Sequence, residues 1–254
     1  MDANELMTMD QEDLSEMFWA RAIKDDLGEL VQAAKQALGD EKVAERVHRA
    51  LVMAIAMIPD RLAVDQEGGS RALAAISGAC LELGAKSAMG SMGNLVYRLA
   101  CNKGNGTLPS EDSMGSALVA LARLKPSFLS YDGWVRIALG HPHLIRLAAE
   151  QLDAAREETL DVINSAFRGF PGMSDEDARA LVSKMAALLG PGKIRIAAAR
   201  LQEKDMRRLR AMLRKATSAA FMSTFDREPG KVKDLLLDVS MLMAKREMVP
   251  GRTR

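Results

Sequence analysis

Residues 43–58 read VAERVHRALVMAIAMI, and their apolar side chains recur every three or four positions. This spacing places Val43, Val47, Leu51 and Ile58 on one side of an α-helix. Pro59 follows directly. Because the residue before a proline is pushed away from helical backbone angles, we expect the helix to end there. The stretch therefore predicts an amphipathic helix with one buried face.

The same period recurs on both sides of this stretch. Leu27, Leu30, Val31, Ala34 and Leu38 form one earlier stripe, and no segment alternates with the period of a strand. Later, Ser174 with Asp177 three residues on predicts an N-cap that begins a further helix. The predicted fold class is all-α.

Glycine and proline mark the breaks between these helices. The predicted loops are 67–70, 102–110, 125–127, 140–142, 169–172, 190–192 and 229–230. The longest, 102–110, is the natural boundary between two helical lobes. We therefore predict an N-terminal arm over 1–30, a first lobe over 31–105 and a second lobe over 106–254.

Composition limits the class of protein. The 254 residues are 48% apolar with a net charge of +1, contain no apolar run long enough for a membrane span, and begin with an acidic segment unlike a signal peptide. Cys80 and Cys101 lie in helical patterns and indicate small buried side chains rather than a disulfide. The charge is segregated: residues 1–45 carry −8, residues 71–146 carry +4 and residues 193–215 carry +7. A basic part could therefore bind a polyanion or the acidic part.

Signatures of catalysis are scarce. The segment Gly78–Ser87 has the wrong spacing for a phosphate loop and lies in a helical pattern. Gly90 and Gly93 favour close helix packing rather than a nucleophile elbow. His141 and His143 are typical of a loop or helix cap, since no other metal ligands accompany them. We predict no enzyme activity, no catalytic residue, no metal site, no cofactor and no small-molecule substrate.

Two basic regions could bind a partner. Residues 193–215 predict an amphipathic helix whose basic side is either solvated or in contact with phosphates or a membrane surface. Basic residues also flank the 102–110 loop and could line a cleft between the lobes: Arg98, Lys103, Arg123, Lys125 and Arg136. Such a cleft would bind a nucleic-acid backbone without reading sequence. The nearby rings are Tyr97, Phe128, Tyr131 and Trp134.

The N-terminal segment contains a short helix with a large apolar face formed by Leu14, Phe18, Trp19, Ala22 and Ile23. This helix either docks on the core of its own chain or reaches into a groove on a neighbour. Repeated head to tail, the second arrangement would give rings or open filaments.

Several segments of the chain occur in the same order as in one known family. Val162-Ile-Asn-Ser-Ala-Phe-Arg-Gly169 resembles the Val-Ile-Asn-Pro-x-Leu-Arg-Gly of that family, the nucleocapsid proteins of phlebovirus- and tenuivirus-type segmented negative-strand RNA viruses. The Val162–Gly169 motif is preceded by Gly140-His-Pro-His143. It is followed by an acidic helix start at 175–182 and by a basic segment at 203–209, both similar to segments of the family. Residues 13–23 resemble the family's arm, and residues 40–55 resemble the helix before its basic turn. Arg61 stands where that turn would be.

The resemblance implies a basic cleft that encapsidates single-stranded genomic RNA without sequence preference. The candidate RNA-binding residues are Arg61, Lys86, Arg98, Lys103, Arg123, Lys125, Arg136 and Arg168. Leu14, Phe18, Trp19 and Ile23 would anchor the arm on the next subunit of a homo-oligomer. A helix C-terminal role before Gly169 is the alternative for Arg168.

The same resemblance implies a contact with the viral polymerase and a location in the virion and the host cell cytoplasm. Two other classes remain open at this point. One is a viral matrix protein of the orthomyxovirus type, to which 91–97 is similar, which would bind membrane and ribonucleoprotein. The other is a helical scaffold that binds no nucleic acid.

Overall fold

A computed structural model describes residues 3–101, 108–152, 159–188, 201–223 and 241. All regular secondary structure in these ranges is helical, which confirms the all-α class. The α-helices are α1 (Ala3–Thr8), α2 (Gln11–Lys24), α3 (Gly28–Ala37), α4 (Glu41–Val64), α5 (Gln66–Glu82), α6 (Lys86–Cys101), α7 (Glu111–Leu124), α8 (Tyr131–Gly140), α9 (Pro142–Glu150), α10 (Thr159–Gly169), α11 (Asp175–Leu188) and α12 (Glu203–Ser223). Two short 3-10 helices are η1 (Pro126–Phe128) and η2 (Phe170–Gly172). The chain forms two compact units, Met1–Gly133 and Trp134–Arg254.

The first unit is built around α4, which packs against α2, α5 and α6. The predicted stripe is confirmed, since Val47, Ala50, Leu51 and Ile58 have no exposed surface. Burying each of these larger aliphatic side chains is worth about 1.5–3 kcal/mol. The helix that the sequence predicted is therefore the centre of this unit.

The predicted end of α4 at Pro59 is wrong, because the helix continues to Val64. Pro59 is only half-buried, and its missing N–H leaves a single carbonyl, that of Ile55, without its usual partner. One turn later Leu62 is 2% exposed, and the Asp65 N–H donates to the Arg61 carbonyl at 2.7 Å. The burial of Leu62 therefore stabilises the last turn of α4 more than Pro59 destabilises it.

The predicted loop at 67–70 is also wrong, because these residues form the first turn of α5. The Asp65 carboxylate accepts a hydrogen bond from the Gly68 N–H at 2.9 Å and so caps the helix. A Cβ atom built on Gly69 would lie 2.8 Å from the Leu62 backbone nitrogen. These glycines allow α5 to pack closely on α4, and they do not mark a turn.

A second close approach fixes η1 on α6. A Cβ atom on Gly93 would collide with the backbone carbonyl of Phe128, which confirms the close-packing interpretation at Gly93, whereas a Cβ atom on Gly90 would make only ordinary contacts at 3.7 Å. The Gly78–Ser87 segment belongs to α5 and the turn into α6, as predicted. Gly84 has a φ of 61°, and the Ala85 N–H donates to the Cys80 carbonyl at 2.9 Å, so the turn is a helix C-cap.

The N-terminal helix α2 packs on α4 and α5 of its own chain. Leu14, Phe18 and Ala22 have no exposed surface, whereas Trp19 and Ile23 are half-buried. The sequence left two arrangements open, docking of the helix on the core of its own chain and docking in a groove on a neighbour. In the structure the helix docks on the core of its own chain. Residues 3–24 of the predicted arm thus contribute to the first unit.

The division of the chain differs from the predicted boundary at 105–106. Helix α7 packs on α5 and η1 packs on α6, so both lie in the first unit, and the boundary falls inside α8. The physical reason is burial: Ala117, Leu118 and Leu121 of α7 have no exposed surface. The loop at 102–110 connects two helices of one unit, although residues 102–107 of it lie outside the described ranges.

The second unit packs α9 on α10 and α11, and α11 on α12. The predicted cap of α11 is confirmed, because Ser174 Oγ accepts from the Asp177 N–H at 3.1 Å and donates to its carboxylate at 2.6 Å. Arg208 of α12 donates to the carbonyls of Phe170 and Met173 and pairs with Asp175 at 2.7 Å. Part of the predicted basic face at 193–215 is therefore used to hold α12 in its own unit.

The predicted apolar stripe of that segment is confirmed in part. Met206 and Leu209 are buried, and Met212 adds to them. Residues 193–200, with Ile196, Ala199 and Arg200, lie outside the described ranges. No helix in the part of the chain that the structure describes is long and apolar enough to cross a bilayer.

Replacing Gly93 by alanine should destabilise the first unit by about 1–3 kcal/mol, because the methyl group would displace η1 from α6. Replacing Gly78 by alanine is the matched control. Gly78 lies in α5 with nothing within 4 Å of its Cβ position, so alanine should stabilise the protein by about 0.5–1 kcal/mol. Urea unfolding followed by circular dichroism measures both changes. Equal effects of the two substitutions would contradict the close approach at Gly93.

Candidate nucleic-acid interface

One face of α6 carries Lys86, Gly90, Gly93 and Tyr97, which are spaced at i, i+4, i+7 and i+11. This spacing aligns them along a helix of 3.6 residues per turn. The two glycines in the middle remove side chains and open a shallow channel. A lysine stands at one end of that channel and a tyrosine at the other.

The segment after α7 lies in this channel. The Phe128 ring is 3.7 Å from the Cβ position of Gly90, and the Phe128 backbone passes over Gly93. The Lys125 ammonium nitrogen lies 4.9 Å from the centre of the Phe128 ring, a cation–π contact. Tyr131 follows with 38% of its surface exposed. We call Lys86, Tyr97, Lys125, Phe128 and Tyr131 the α6–η1 surface.

The far end of the channel is closed by a hydrogen bond between Tyr97 and Asp132. The phenol oxygen donates to the carboxylate at 3.1 Å. The hydrogen bonds of the phenol with Cys101 and with Asp132 raise the pKa of Tyr97 above its ordinary value. The phenol therefore stays protonated at neutral pH. Its hydrogen bond occupies Asp132, which is the one carboxylate among residues 125–133.

Four predicted RNA-binding residues lie on or beside the α6–η1 surface. Lys86 begins α6, Arg98 lies in its last turn, Arg123 lies in the last turn of α7, and Lys125 is the C-cap of α7. All four are exposed. Because η1 continues from α7 and rests on Gly90, the end of α7 approaches the beginning of α6. The structure thus places these cations on two adjoining helices of one unit.

The other predicted RNA-binding residues lie elsewhere. Arg61 forms an ion pair with Asp65 at the junction of α4 and α5, so its charge is compensated inside the unit. Arg136 and Arg168 are exposed in the second unit, the latter in the last turn of α10 as the capping alternative requires. Lys103 is outside the described residues. Of the four predicted rings, Trp134 is 1% exposed and cannot contact a ligand.

The structure also locates the two histidines and the two cysteines that the sequence singled out. The rings of His141 and His143 meet edge to face at 6.3 Å, and His141 is the N-cap of α9. Within the described ranges no three His, Cys, Asp or Glu side chains cluster closely enough to hold a metal. Cys80 has no exposed surface and is a core residue as predicted, and this burial raises the pKa of its thiol to about 12. Cys101 is half-buried.

Sequence reasoning missed one polar cavity of the first unit. The cavity has a volume of about 460 Å³ and is lined by Asp25, Ser70, Arg71 and Ser110, among others. Its arginine already donates to the Ile23 carbonyl at 2.9 Å and pairs with Glu67. The Arg71 guanidinium therefore makes its contacts inside the unit.

Comparison with known proteins adds little to this geometry. No protein-family model matches the chain, and no curated protein matches it. A solved structure described as "Computational Design of Self-Assembling Cyclic Protein Homooligomers" is similar over 94% of this chain and 99% of its own, with 19% sequence identity and a TM-score of 0.31. A similarity at this level supports no conclusion about fold or function.

The Asp65 carboxylate, which caps α5 through the Gly68 N–H and pairs with Arg61, gives the first unit a specific acid sensitivity. The hydrogen bond from the Gly68 N–H, followed by the Arg61 contacts, lowers the pKa of Asp65 in the folded state. The stabilisation is therefore present above the ordinary pKa of aspartate and is lost as the pH falls through the folded pKa. Asp65→Asn should lower the melting temperature at neutral pH, because it removes the charge partner of Arg61.

The difference between the wild type and Asp65→Asn should shrink as the pH falls into the acid range, measured by thermal unfolding at a series of pH values. Asp40 provides the control, since its side chain caps α4 through the N–H groups of Lys42 and Val43 without a cation among the described contacts. Asp40→Asn should change the melting temperature less. A pH-independent deficit for Asp65→Asn would contradict this interpretation.

Proposed function

We propose that this protein is a viral nucleocapsid protein that coats single-stranded genomic RNA without reading its sequence. The observation that carries the proposal is the α6–η1 surface, where exposed cations adjoin one exposed and two half-buried aromatic rings on the packed group of α6, η1 and α7. The order of sequence motifs shared with the phlebovirus- and tenuivirus-type nucleocapsid proteins supports the same conclusion.

The cations would bind the phosphate backbone. Lys86, Arg123 and Lys125 are exposed, and none of them has an ion-pair partner among the described residues. Neutralising a phosphate releases counterions whatever the base, so such contacts give affinity without sequence preference. Lys125 is also held over Phe128, which fixes its ammonium group near the ring.

The rings would hold the bases. Tyr131 is the most exposed aromatic side chain of the surface, and Phe128 and Tyr97 are half-buried beside it. Stacking of a base on an aromatic ring is worth about 1–3 kcal/mol and tolerates every base. Because the chain is only 4% aromatic, three rings on one channel are a concentrated set.

An RNA coat also needs contacts between subunits, and we propose a homo-oligomer, ring or filament. Leu14 and Phe18 are fully buried in their own unit, so they serve the fold unless α2 leaves α4 and α5. Trp19 and Ile23 keep exposed surface and stay candidates for the contact. Arg136 and Arg168 add exposed guanidinium groups from the second unit. The polymerase contact and the location in virion and host cytoplasm follow from the same proposal.

The test is binding of a fluorescein-labelled oligouridine, followed by anisotropy at several salt concentrations. Affinity should fall steeply with salt. Changing Lys86, Arg123 and Lys125 to alanine should weaken binding and reduce the slope of log K against log salt by about 2, at ~0.7 per lost single-strand phosphate contact. A labelled oligoadenosine should bind with similar affinity.

The control removes the same charge elsewhere. Changing Lys24, Lys35 and Lys42, which are exposed on other helices of the first unit, should leave the slope nearly unchanged. Wild-type protein that ignores both oligonucleotides at low salt would contradict the proposal. Sedimentation with anionic liposomes but not with RNA would instead favour the matrix-protein alternative.

A further inference from the structure

A second surface of the first unit is acidic and apolar, whereas the α6–η1 surface is basic and aromatic. It consists of two stripes with identical spacing, i, i+4, i+7 and i+11. The stripe on α2 is Glu12, Glu16, Trp19 and Ile23, and the stripe on α4 is Met53, Met57, Asp60 and Val64. We call these eight residues the α2–α4 surface.

Hydrogen bonds show that α2 and α4 lie side by side, with Met53 of one stripe at the boundary. Ser15 of α2 donates from its hydroxyl to the Met53 sulfur at 3.2 Å, and the Gln11 amide donates to the Arg46 carbonyl at 3.3 Å. Residue numbers rise together on the two helices, so α2 and α4 run in the same direction. Their outward stripes therefore border a common groove.

The apolar members of the α2–α4 surface are incompletely covered. Met53 is 43% exposed, Met57 is 40% exposed and Val64 is 80% exposed, while Trp19 and Ile23 are half-buried. Large apolar side chains grouped in this way mark an interaction site more often than chance exposure does. Methionine adapts its shape to different apolar partners, and tryptophan is enriched at binding hot spots.

The charged members of the surface are all acidic. Glu12, Glu16 and Asp60 are exposed, and none of them forms an ion pair within the described part of the chain. By contrast, neighbouring charges such as Arg49 with Glu45 are paired. The groove therefore combines an apolar centre with three uncompensated carboxylates.

We propose that the α2–α4 surface binds a basic amphipathic helix of a partner protein. Such a helix would place its apolar stripe on Trp19, Met53 and Met57, and its flanking Lys or Arg side chains beside Glu12, Glu16 and Asp60. Two packed helices offer a groove that a third helix can fill at the usual separation of about 8–10 Å. The inference goes beyond RNA binding and shares no residue with the α6–η1 surface, but it assigns Trp19 and Ile23 to a partner helix in place of the subunit contact considered above.

The probe is a synthetic peptide with leucine at i, i+3, i+4 and i+7 and lysine at the other positions, labelled with fluorescein. We expect saturable binding in the micromolar range by anisotropy. Acrylamide quenching gives a second readout without mutation. Trp134 is 1% exposed and shielded, so quenching reports on Trp19 and should fall when the peptide binds.

Two variants test the two parts of the surface. Met53→Ser with Met57→Ser should weaken binding about tenfold or more, and neutralising Glu12, Glu16 and Asp60 to their amides should do the same with a smaller salt dependence. Leu139→Ser, which removes an exposed leucine of the second unit, is the apolar control. Neutralising Glu41, Asp112 and Glu176 is the charge control, and neither control should change binding.

Three results would overturn the proposal. One is no saturable binding of the peptide in the micromolar range. Another is equal binding of a peptide with the same leucines and glutamate in place of lysine, since the carboxylates would then play no part. The third is sedimentation velocity in which Met53→Ser with Met57→Ser dissociates an oligomer of the protein alone, because the surface would then be occupied by a second copy of this chain.

Discussion

The close return of α5 onto α4 is the constraint on which the first unit depends. At Gly69 the two backbones approach so nearly that a Cβ atom would lie 2.8 Å from the Leu62 nitrogen. Asp65 ends one helix and caps the next, with Arg61 held beside it. Because α5 lies so close, α2 can contact both helices, and α6 and α7 can pack against the other sides of the pair.

This arrangement gives the first unit two surfaces of opposite charge. The α6–η1 surface collects cations and rings around a channel made by two glycines, and the α2–α4 surface collects carboxylates around methionine and tryptophan. The net charge of +1 therefore results from the cancellation of an acidic segment against basic ones. A polyanion and a basic helix could be bound by one unit without competing for the same side chains.

Sequence periodicity predicted the helical class, the buried face of α4, the cap of α11 and the close packing at Gly93. It failed at Pro59 and at Gly68-Gly69, where burial of Leu62 and the packing of α5 outweigh local preferences that usually end a helix. Arg98, Arg123 and Lys125 were predicted as a group from their place around one loop, whereas Lys86 was predicted only with the family resemblance. The position of Lys125 over Phe128 could not be predicted, since it requires η1 to dock on α6. The exposure of Met53, Met57 and Val64 likewise could not be predicted, because it depends on which helices pack against α4.

RNA binding by the α6–η1 surface is tested most directly by photocrosslinking of the protein to RNA that contains 4-thiouridine, with the crosslinked residues mapped by mass spectrometry. If the α6–η1 surface binds RNA, crosslinks should be concentrated on Tyr97, Phe128 and Tyr131 and on the peptides that carry Lys86 and Lys125. Crosslinks confined to α2 and α4, or none above the level of an unrelated helical protein, would contradict it.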